Sequence, residues 1–201
     1  SLTKDETIFA QKLRLSREIV VSTLENEFEL RDIITNMGDK EEPIMILYHM
    51  NMGYPLLDED SVVMIPSVKV IARNEHSAED IENWMHMQKP TPGYVERCYY
   101  HKFASKDGTA SIYQPKLNIG LKMEFNTTDL DAFTEWKMMG ESDYVVGLEA
   151  GNCIPRGRRY HRERGLLQML NGQEQAVCEL EIGVVCGREE IDRFLNREGF
   201  I

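Results

Sequence analysis

Much of the chain alternates between apolar and polar positions with the period of two that is typical of β-strands. The clearest case is the segment 175–185, where one face carries Ala176, Cys178, Leu180, Ile182 and Val184 and the other face carries glutamates. The same pattern predicts strands over residues 17–24, 27–36, 43–50, 61–73, 94–103, 109–115, 119–126, 132–139 and 144–150. We therefore expect a mainly β protein built as a large antiparallel sandwich.

Two of these strands form a predicted hairpin. Glu25 and Asn26 separate the segments 17–24 and 27–36, and asparagine tolerates the positive φ that a tight turn needs. The segment 43–50 is instead almost continuously apolar, which favours a strand buried on both faces. It carries His49 near its end.

The sequence predicts only two helices. The segment 77–87 has acidic residues in its first turn, and the segment 188–197 begins with acids and ends with a base, as the helix dipole favours. The chain contains neither an internal repeat nor a low-complexity linker. We expect one domain over residues 1–201, an antiparallel β-sandwich with one or two short helices.

The net charge of the chain argues against one class of partner. The 201 residues include 34 acidic and 23 basic side chains, a net charge of -11. Such a chain repels a phosphate backbone, so we expect no nucleic-acid partner. We also expect no membrane partner and a cytoplasmic location, because no apolar run approaches the length that spans a bilayer. The four cysteines form no C-x-x-C pair, which favours free thiols.

Searches for common catalytic motifs find no phosphate-binding glycine loop, no G-x-S-x-G and no H-E-x-x-H. The five histidines are spread along the chain, and His101 and His161 have basic neighbours that would compete with a bound cation. We therefore predict no metal site.

The first candidate pair is His49 and Asn51. Residues two apart on a strand point to the same face, so both side chains can contact one ligand. The alternative is structural: His49 packs in the core, as a lone histidine often does, and Asn51 caps the turn before Gly53.

Two carboxylates are further candidates. Glu149 ends an apolar strand, where partial desolvation would raise its pKa and make it a better base near neutral pH. Alternatively, Glu149 emerges into water or pairs with an arginine of the next segment. Glu96 is a candidate ligand-binding carboxylate, and its simpler interpretation is a solvated strand residue paired with Arg97.

Two more features fit a sugar ligand. Trp136 can stack on the apolar face of a sugar ring, and Lys137 can bond to its hydroxyls, although a tryptophan in such a strand is more often part of the core. Residues 156–164 contain five arginines, which suit an anionic substituent, although a solvated loop paired with acidic neighbours explains them as well.

These motifs resemble those of a known family. The ordered segments are DIITN followed by Gly38, then LYHMNMGYPLL, PTPGYVERCYYH, EWKMMGESDYVVGLEAGNCIPRGR and RGLLQML. In order and spacing they resemble the aldose 1-epimerase-like proteins of the galactose mutarotase superfamily, in particular the DUF4432 branch.

The resemblance implies a β-supersandwich with a sugar site in a groove on one sheet. It implies that His49 is the general acid toward the ring oxygen, and that Glu149 is the base that removes the proton of the anomeric hydroxyl. Glu96 corresponds loosely to a sugar-binding aspartate. The implied reaction interconverts α and β anomers through ring opening and needs no cofactor.

One departure from the family keeps alternatives open. Mutarotases carry strands, a histidine and an arginine ahead of the point where this sequence begins, so the chain corresponds to the C-terminal portion of the family's domain. The alternatives to a mutarotase are a carbohydrate-binding domain without turnover and an inactive shortened family member. The expected partner is a small sugar, neutral or anionic, and open sheet edges favour a homo-oligomer.

Overall fold

The computed structural model describes residues 2–6 and 11–197 of the chain, with side chains from residue 11 to residue 193. The strands in these ranges are β1 (Leu2–Glu6), β2 (Lys12–Val21), β3 (Glu27–Asn36), β4 (Glu42–Ile44), β5 (Leu47–Met52), β6 (Val62–Met64), β7 (Lys69–Ala72), β8 (Arg97–Lys102), β9 (Asp107–Gln114), β10 (Ile119–Asn126), β11 (Ala132–Met139), β12 (Tyr144–Gly151), β13 (Gln168–Leu170) and β14 (Gln175–Cys186). The α-helices are α1 (Glu75–Ala78), α2 (Gly157–Glu163) and α3 (Arg188–Arg197).

Antiparallel pairing joins these strands into sheets. Within the described ranges, a seven-stranded sheet has the order β1-β2-β3-β14-β10-β9-β6 and a five-stranded sheet has the order β5-β12-β11-β8-β7. Strands β13 and β4 form a small separate sheet. The expected antiparallel β-sandwich, of the galactose mutarotase-like type, is confirmed.

The core lies between the two large sheets. The larger sheet contributes Leu30, Ile112, Met123, Phe125, Leu180 and Ile182, and the smaller contributes Tyr48, Met52, Phe133, Val146, Leu148 and Ala150. Because side chains alternate along a strand, burying these residues points their neighbours on the five-stranded sheet away from the core. The open face that results carries the candidate site.

A buried carboxylate ties the two sheets together behind that site. Asp32 of β3 is fully buried and accepts two hydrogen bonds from Arg17 of β2, at 2.8 Å from Nε and 2.6 Å from Nη2. Tyr48 of β5 donates its hydroxyl to the same carboxylate at 2.8 Å. Burial and this hydrogen bond raise the pKa of Tyr48. The bond fixes the strand on which His49 is the next residue.

A second, smaller cluster covers the outer face of the seven-stranded sheet. Val185 and Tyr113 pack there with Ile191 of α3. The predicted alternation along β14 holds as far as Ile182, but Val184 is 43% exposed whereas Val185 is buried. Helix α3, where it was predicted, changes which face is covered at this end of the strand.

Several predicted strand bounds were wrong because the chain changes sheets within them. The segment 43–50 divides into β4 and β5, which belong to different sheets, and the segment 61–73 divides into β6 and β7, with Pro66 between them. Between β4 and β5, the backbone of Ile46 bonds to the side chain and the backbone of Asn152. Strand β5 is buried on one face only, since His49 and Asn51 are exposed.

The helix predictions also need correction. The expected helix over 77–87 is the single turn α1 followed by a 3-10 turn at Ile81–Asn83. Asn74 caps α1 by accepting a hydrogen bond from the Ser77 amide. The arginine-rich segment expected as a loop contains α2. No helix in the described ranges has both the length and the apolar character needed to cross a membrane.

Replacing Tyr48 by phenylalanine should lower the free energy of unfolding by about 1.5 to 3 kcal/mol, because the buried Asp32 loses one of its donors. The measurement is urea denaturation. Tyr100→Phe is the matched control, since that buried hydroxyl makes no hydrogen bond of normal geometry to a described residue, and it should change stability by less than about 0.5 kcal/mol. Equal losses in the two variants would contradict the assigned role of Tyr48.

Candidate functional site

Strand register collects the candidate residues on the open face of the five-stranded sheet. Residues directly opposite one another on antiparallel strands point to the same face. One row crosses all five strands and consists of His49, Glu149, Thr134, Tyr100 and Ile71; we call it the Glu149 row. The adjacent Trp136 row consists of Asn51, Gly147, Trp136 and Cys98.

His49 and Glu149 form the centre of the site. Nε2 of His49 lies 2.9 Å from Oε1 of Glu149, and the imidazole side chain is 42% exposed while the carboxylate is almost fully buried. Both alternatives to a functional role that the sequence left open for these residues are wrong. His49 does not pack in the core, and Glu149 neither reaches water nor pairs with a following arginine.

Burial changes the pKa of the Glu149 carboxyl group. Desolvation, together with the nearby negative charge of Glu96 and against the opposing effect of Arg73, raises the pKa of Glu149 to about 7. A carboxyl group with a pKa near neutral pH can exchange a proton with an imidazole at little cost in free energy. The pair therefore has the properties of a general acid/base pair.

Gly147 makes room for this pair. A Cβ atom at that position would lie 2.8 Å from Oε1 of Glu149 and 3.0 Å from Cε1 of His49. Any side chain on this residue would push one of the two groups aside. Glycine inside a strand often marks such a close approach, and this is the signal in the sequence that could have placed Gly147 in the site.

Trp136 and Glu96 border the acid/base pair. The indole lies edge-on to the His49 ring, with 5.6 Å between the ring centroids, and its Nε1 donates to Oε2 of Glu96 at 2.6 Å. Arg73 donates from Nη2 to the other oxygen of Glu96 at 2.6 Å. These two hydrogen bonds lower the pKa of Glu96. Glu96 is therefore an anion that holds the indole in place.

The predicted partner of Glu96 was wrong. Arg97 points to the other face of β8, where Nη1 donates to the carbonyl of His76, and Glu96 pairs instead with Arg73. Trp136 is half-buried on the open face, so the alternative that places it in the core is also wrong. Asn51 is exposed on the same face, beside Gly147.

Lys137 does not belong to the site, and its prediction as a substrate-binding residue is wrong. It follows Trp136 on β11 and so points to the opposite face, where it is fully buried. Its Nζ donates to the carbonyls of Asn83, Trp84 and His86 at 3.1, 3.1 and 2.7 Å. Burial lowers the pKa of Lys137. The ammonium holds the 3-10 turn against the sheet.

Sequence reasoning missed three other residues of the open face. Arg73 follows β7, and Thr134 and Tyr100 continue the Glu149 row across the sheet. Tyr100 lies within one of the segments that resemble the mutarotase family, but no local pattern singles it out. Their proximity to Glu149 depends on strand pairing across long stretches of sequence.

The arginine-rich segment lies at the end of the same face. Arg156 donates from Nη2 to the carbonyl of Arg73 at 2.7 Å, which ties this segment to the site. Arg159 pairs with Glu163 within α2, and the Arg164 guanidinium packs 3.8 Å from the centroid of the Tyr160 ring. The expected pairing with acidic neighbours thus holds for Arg159. In the part of the chain that the structure describes, no three His, Cys, Asp or Glu side chains form a metal-binding group.

Residues 1–184 match the model of the family described as Domain of unknown function (DUF4432). The chain belongs to the DUF4432 family. No curated protein matches this DUF4432 chain.

Several solved structures share the fold of this DUF4432 protein. A "putative aldose 1-epimerase" from Klebsiella pneumoniae superposes with a TM-score of 0.93 at 22% identity, over 98% of this chain and 53% of that one. A galactose mutarotase related enzyme from Lactobacillus acidophilus has a TM-score of 0.67 at 12% identity, over 94% of this chain and 68% of that one. A galactose mutarotase-like protein from Clostridium acetobutylicum has a TM-score of 0.55 at 13% identity, over 92% and 66%.

These likenesses establish the galactose mutarotase-like fold, as the sequence resemblance implied. This DUF4432 chain spans about half the length of the Klebsiella protein that it matches.

Substituting Glu149 by glutamine should change how stability depends on pH. The pKa of Glu149 is raised from 4.5 to about 7, so between these values the folded state retains a proton that the unfolded state has lost. The wild-type protein therefore loses stability as pH rises through this window, and Glu149→Gln is spared about 3 kcal/mol of that loss. Urea denaturation of both proteins from pH 4 to pH 8 measures it. Parallel profiles would contradict a raised pKa.

Substituting Lys137 by methionine should lower the free energy of unfolding by about 3 kcal/mol, because three buried carbonyls lose their donor. Lys69→Met, at an exposed position on β7, is the control and should cost less than about 0.5 kcal/mol. Thermal and urea denaturation give both values. A stable Lys137→Met protein would contradict the assigned contacts.

Proposed function

We propose that this protein is a sugar mutarotase that interconverts the α and β anomers of an aldose by general acid/base catalysis. The observation that carries the proposal is the His49 and Glu149 pair, with 2.9 Å between Nε2 and Oε1, on an open sheet face. Similarity of fold to proteins named for aldose 1-epimerase and galactose mutarotase supports the same conclusion.

In the proposed reaction, Glu149 and His49 each transfer one proton during ring opening and transfer it back during ring closure. The Glu149 carboxylate takes the proton of the anomeric hydroxyl, the bond from C1 to the ring oxygen breaks with its electrons moving to that oxygen, and His49 donates a proton to it. C1 becomes an aldehyde carbonyl. Rotation about the bond between C1 and C2, followed by the reverse proton transfers, closes the ring as the other anomer, and no atom is gained or lost.

Protonation of the pair sets the pH dependence. Catalysis starts from ionised Glu149 and protonated His49. Because the pKa of Glu149 is raised to about 7, kcat/KM should increase as pH rises toward that value. Above that pH the carboxylate is already ionised, so the increase should level off.

The open face offers the remaining contacts of a sugar. Trp136 presents a half-buried indole beside the pair, and Asn51 presents an amide in the same row. An indole suits the apolar face of a pyranose, and an amide suits its hydroxyls. Glu96 holds the indole and is proposed to bind the sugar through its exposed edge.

A second candidate function is sugar binding without turnover. It is favoured by the direct contact between His49 and Glu149, 2.9 Å from Nε2 to Oε1, which a substrate must replace with one contact to each group.

Anomer exchange measured by NMR saturation transfer separates the two candidates. A panel of neutral and acidic aldoses is compared with wild-type protein, Glu149→Gln and the matched control Glu18→Gln, which removes an exposed carboxylate on β2. The mutarotase proposal expects faster exchange with wild type and control, and a loss of about 100-fold or more with Glu149→Gln.

Two outcomes would count against the mutarotase. If the ligand resonances broaden while no aldose exchanges faster than in buffer, the protein binds sugar without turnover. If Glu149→Gln exchanges anomers as fast as the control variant, another group is the base.

A further inference from the structure

A cavity of about 360 Å³ opens beside the Glu149 row, at the side remote from His49. Its walls include Ile71, Tyr100, Ala132, Cys153, Arg156 and Tyr160, and we call it the Tyr100 pocket. Arg73 and Asn152 also line it, and Arg73 pairs with Glu96, so the pocket adjoins the site at this pair. The pocket is therefore placed to receive a distant part of the same ligand.

Two buried hydroxyls lie in or next to the pocket wall, and the side chain that interacts with the Tyr100 hydroxyl is Arg156, which can donate to it but cannot accept its proton. Tyr100 is 7% exposed and Thr134 is fully buried, and they lie directly opposite each other in the Glu149 row. Neither hydroxyl makes a hydrogen bond of normal geometry to any residue that the structure describes. An unpaired buried hydroxyl lowers stability, and a ligand that accepts its hydrogen bond recovers that free energy.

The charge at the pocket is positive. Within the described ranges, Arg156 forms no ion pair; its guanidinium bonds to the neutral carbonyl of Arg73. Burial raises the pKa of Tyr100 and the Arg156 guanidinium opposes this, which reflects how close the two groups lie. Lys102 and Asp131 also line the pocket, and their charges are opposite.

His161, on the same wall, adds no charge in the hydrogen-bonding arrangement present. Its Nε2 accepts from the amide of Ile154 at 3.3 Å, so its proton is on Nδ1, which lies 2.9 Å from the carbonyl of Gly157. Arg73 is neutralised by Glu96. Arg156 and Lys102 are thus the cations of the lining that are free for a ligand among the described residues, and the exposed Arg156 side chain, which lies close to Tyr100, can move as an anion enters.

The distance between the two sites is set by the sheet. Glu149 lies on β12 and Tyr100 lies two strands away on β8, so their backbones are about 10 Å apart. A hexose whose anomeric carbon lies at Glu149 would reach the pocket with a substituent on its terminal carbon.

We propose that the Tyr100 pocket binds an anionic substituent of the sugar, a phosphate, sulfonate or carboxylate on the carbon most distant from the anomeric centre. Arg156 supplies positive charge, and the Tyr100 hydroxyl donates its proton to the anion. The identification of the ligand as a sugar rests on the proposed function, whereas the preference for an anion rests on the pocket alone.

Calorimetric titration in low-salt buffer tests the preference directly. The probes are glucose, glucose 6-phosphate, 6-deoxy-6-sulfoglucose and glucuronate, with inorganic phosphate added to determine whether the anion alone suffices. We expect at least one anionic sugar to bind about tenfold or more tightly than glucose, with an advantage that shrinks as salt is added.

Substitutions in and near the pocket test which residues produce the preference for an anionic sugar. Arg156→Gln should reduce the ratio of anionic to neutral affinity about tenfold, and Arg156→Lys should restore part of it because the charge is kept. Arg158→Gln, two residues along the chain and outside the pocket lining, should leave the ratio unchanged. Tyr100→Phe should lower the ratio severalfold with little change in the melting temperature, because its hydroxyl makes no hydrogen bond of normal geometry to a described residue.

The outcomes separate this inference from the proposed function. Equal affinity for neutral and anionic sugars, tight binding of inorganic phosphate alone with no gain from the sugar, or equal effects of Arg156→Gln and Arg158→Gln would each overturn the inference. Anomer exchange of neutral aldoses could still be intact in these cases. Conversely, a preference for anionic sugars that depends on Arg156, with no exchange of any anomer, would uphold the pocket and reject the mutarotase.

Discussion

The antiparallel register of β12 with its neighbours is the constraint on which the site depends. Glu149 acquires His49 on one side and Thr134 on the other because these residues lie opposite it, not because they are near it in sequence. A shift of one residue in either pairing would turn a whole strand over. Hydrophobic burial of Leu148 and Ala150 prevents that shift, so the same packing that forms the core also sets the acid/base geometry.

The site also reduces the stability of the fold around neutral pH. Glu149 is buried where its charge is poorly solvated, and Gly147 leaves the space that the pair occupies. Asp32 is equally buried, but it accepts three hydrogen bonds from Arg17 and Tyr48, which compensate its desolvation. The contrast separates a carboxylate that holds the sheets together from one that remains available for proton transfer.

Local patterns in the sequence were sufficient for most strands and for the two groups at the centre of the site. Alternation located β3, β10, β11 and β14, and the order of motifs located His49, Glu149, Trp136 and Glu96. The same patterns failed where the chain passes between sheets, as at Pro66, because an apolar run looks alike in either sheet.

The remaining errors concern partners distant in sequence. Lys137 was assigned to the site although its neighbour Trp136 is on the open face and the two must point in opposite directions. Arg73, Thr134 and Tyr100 were not found, because each reaches the site through pairing with strands that lie far along the chain. Such positions follow from register, which a single sequence does not specify.

The residues of the Glu149 row are spaced at regular intervals, because each one lies on a different strand of the sheet. From His49 to Ile71 each step is one strand, about 4.8 Å, and each strand contributes one side chain. Under the proposed function, a sugar lying along this row meets one side chain per strand, so one substitution changes what is accepted at one distance from C1. Sheets of this kind can acquire new specificities one strand at a time while the acid/base pair at the other end stays fixed.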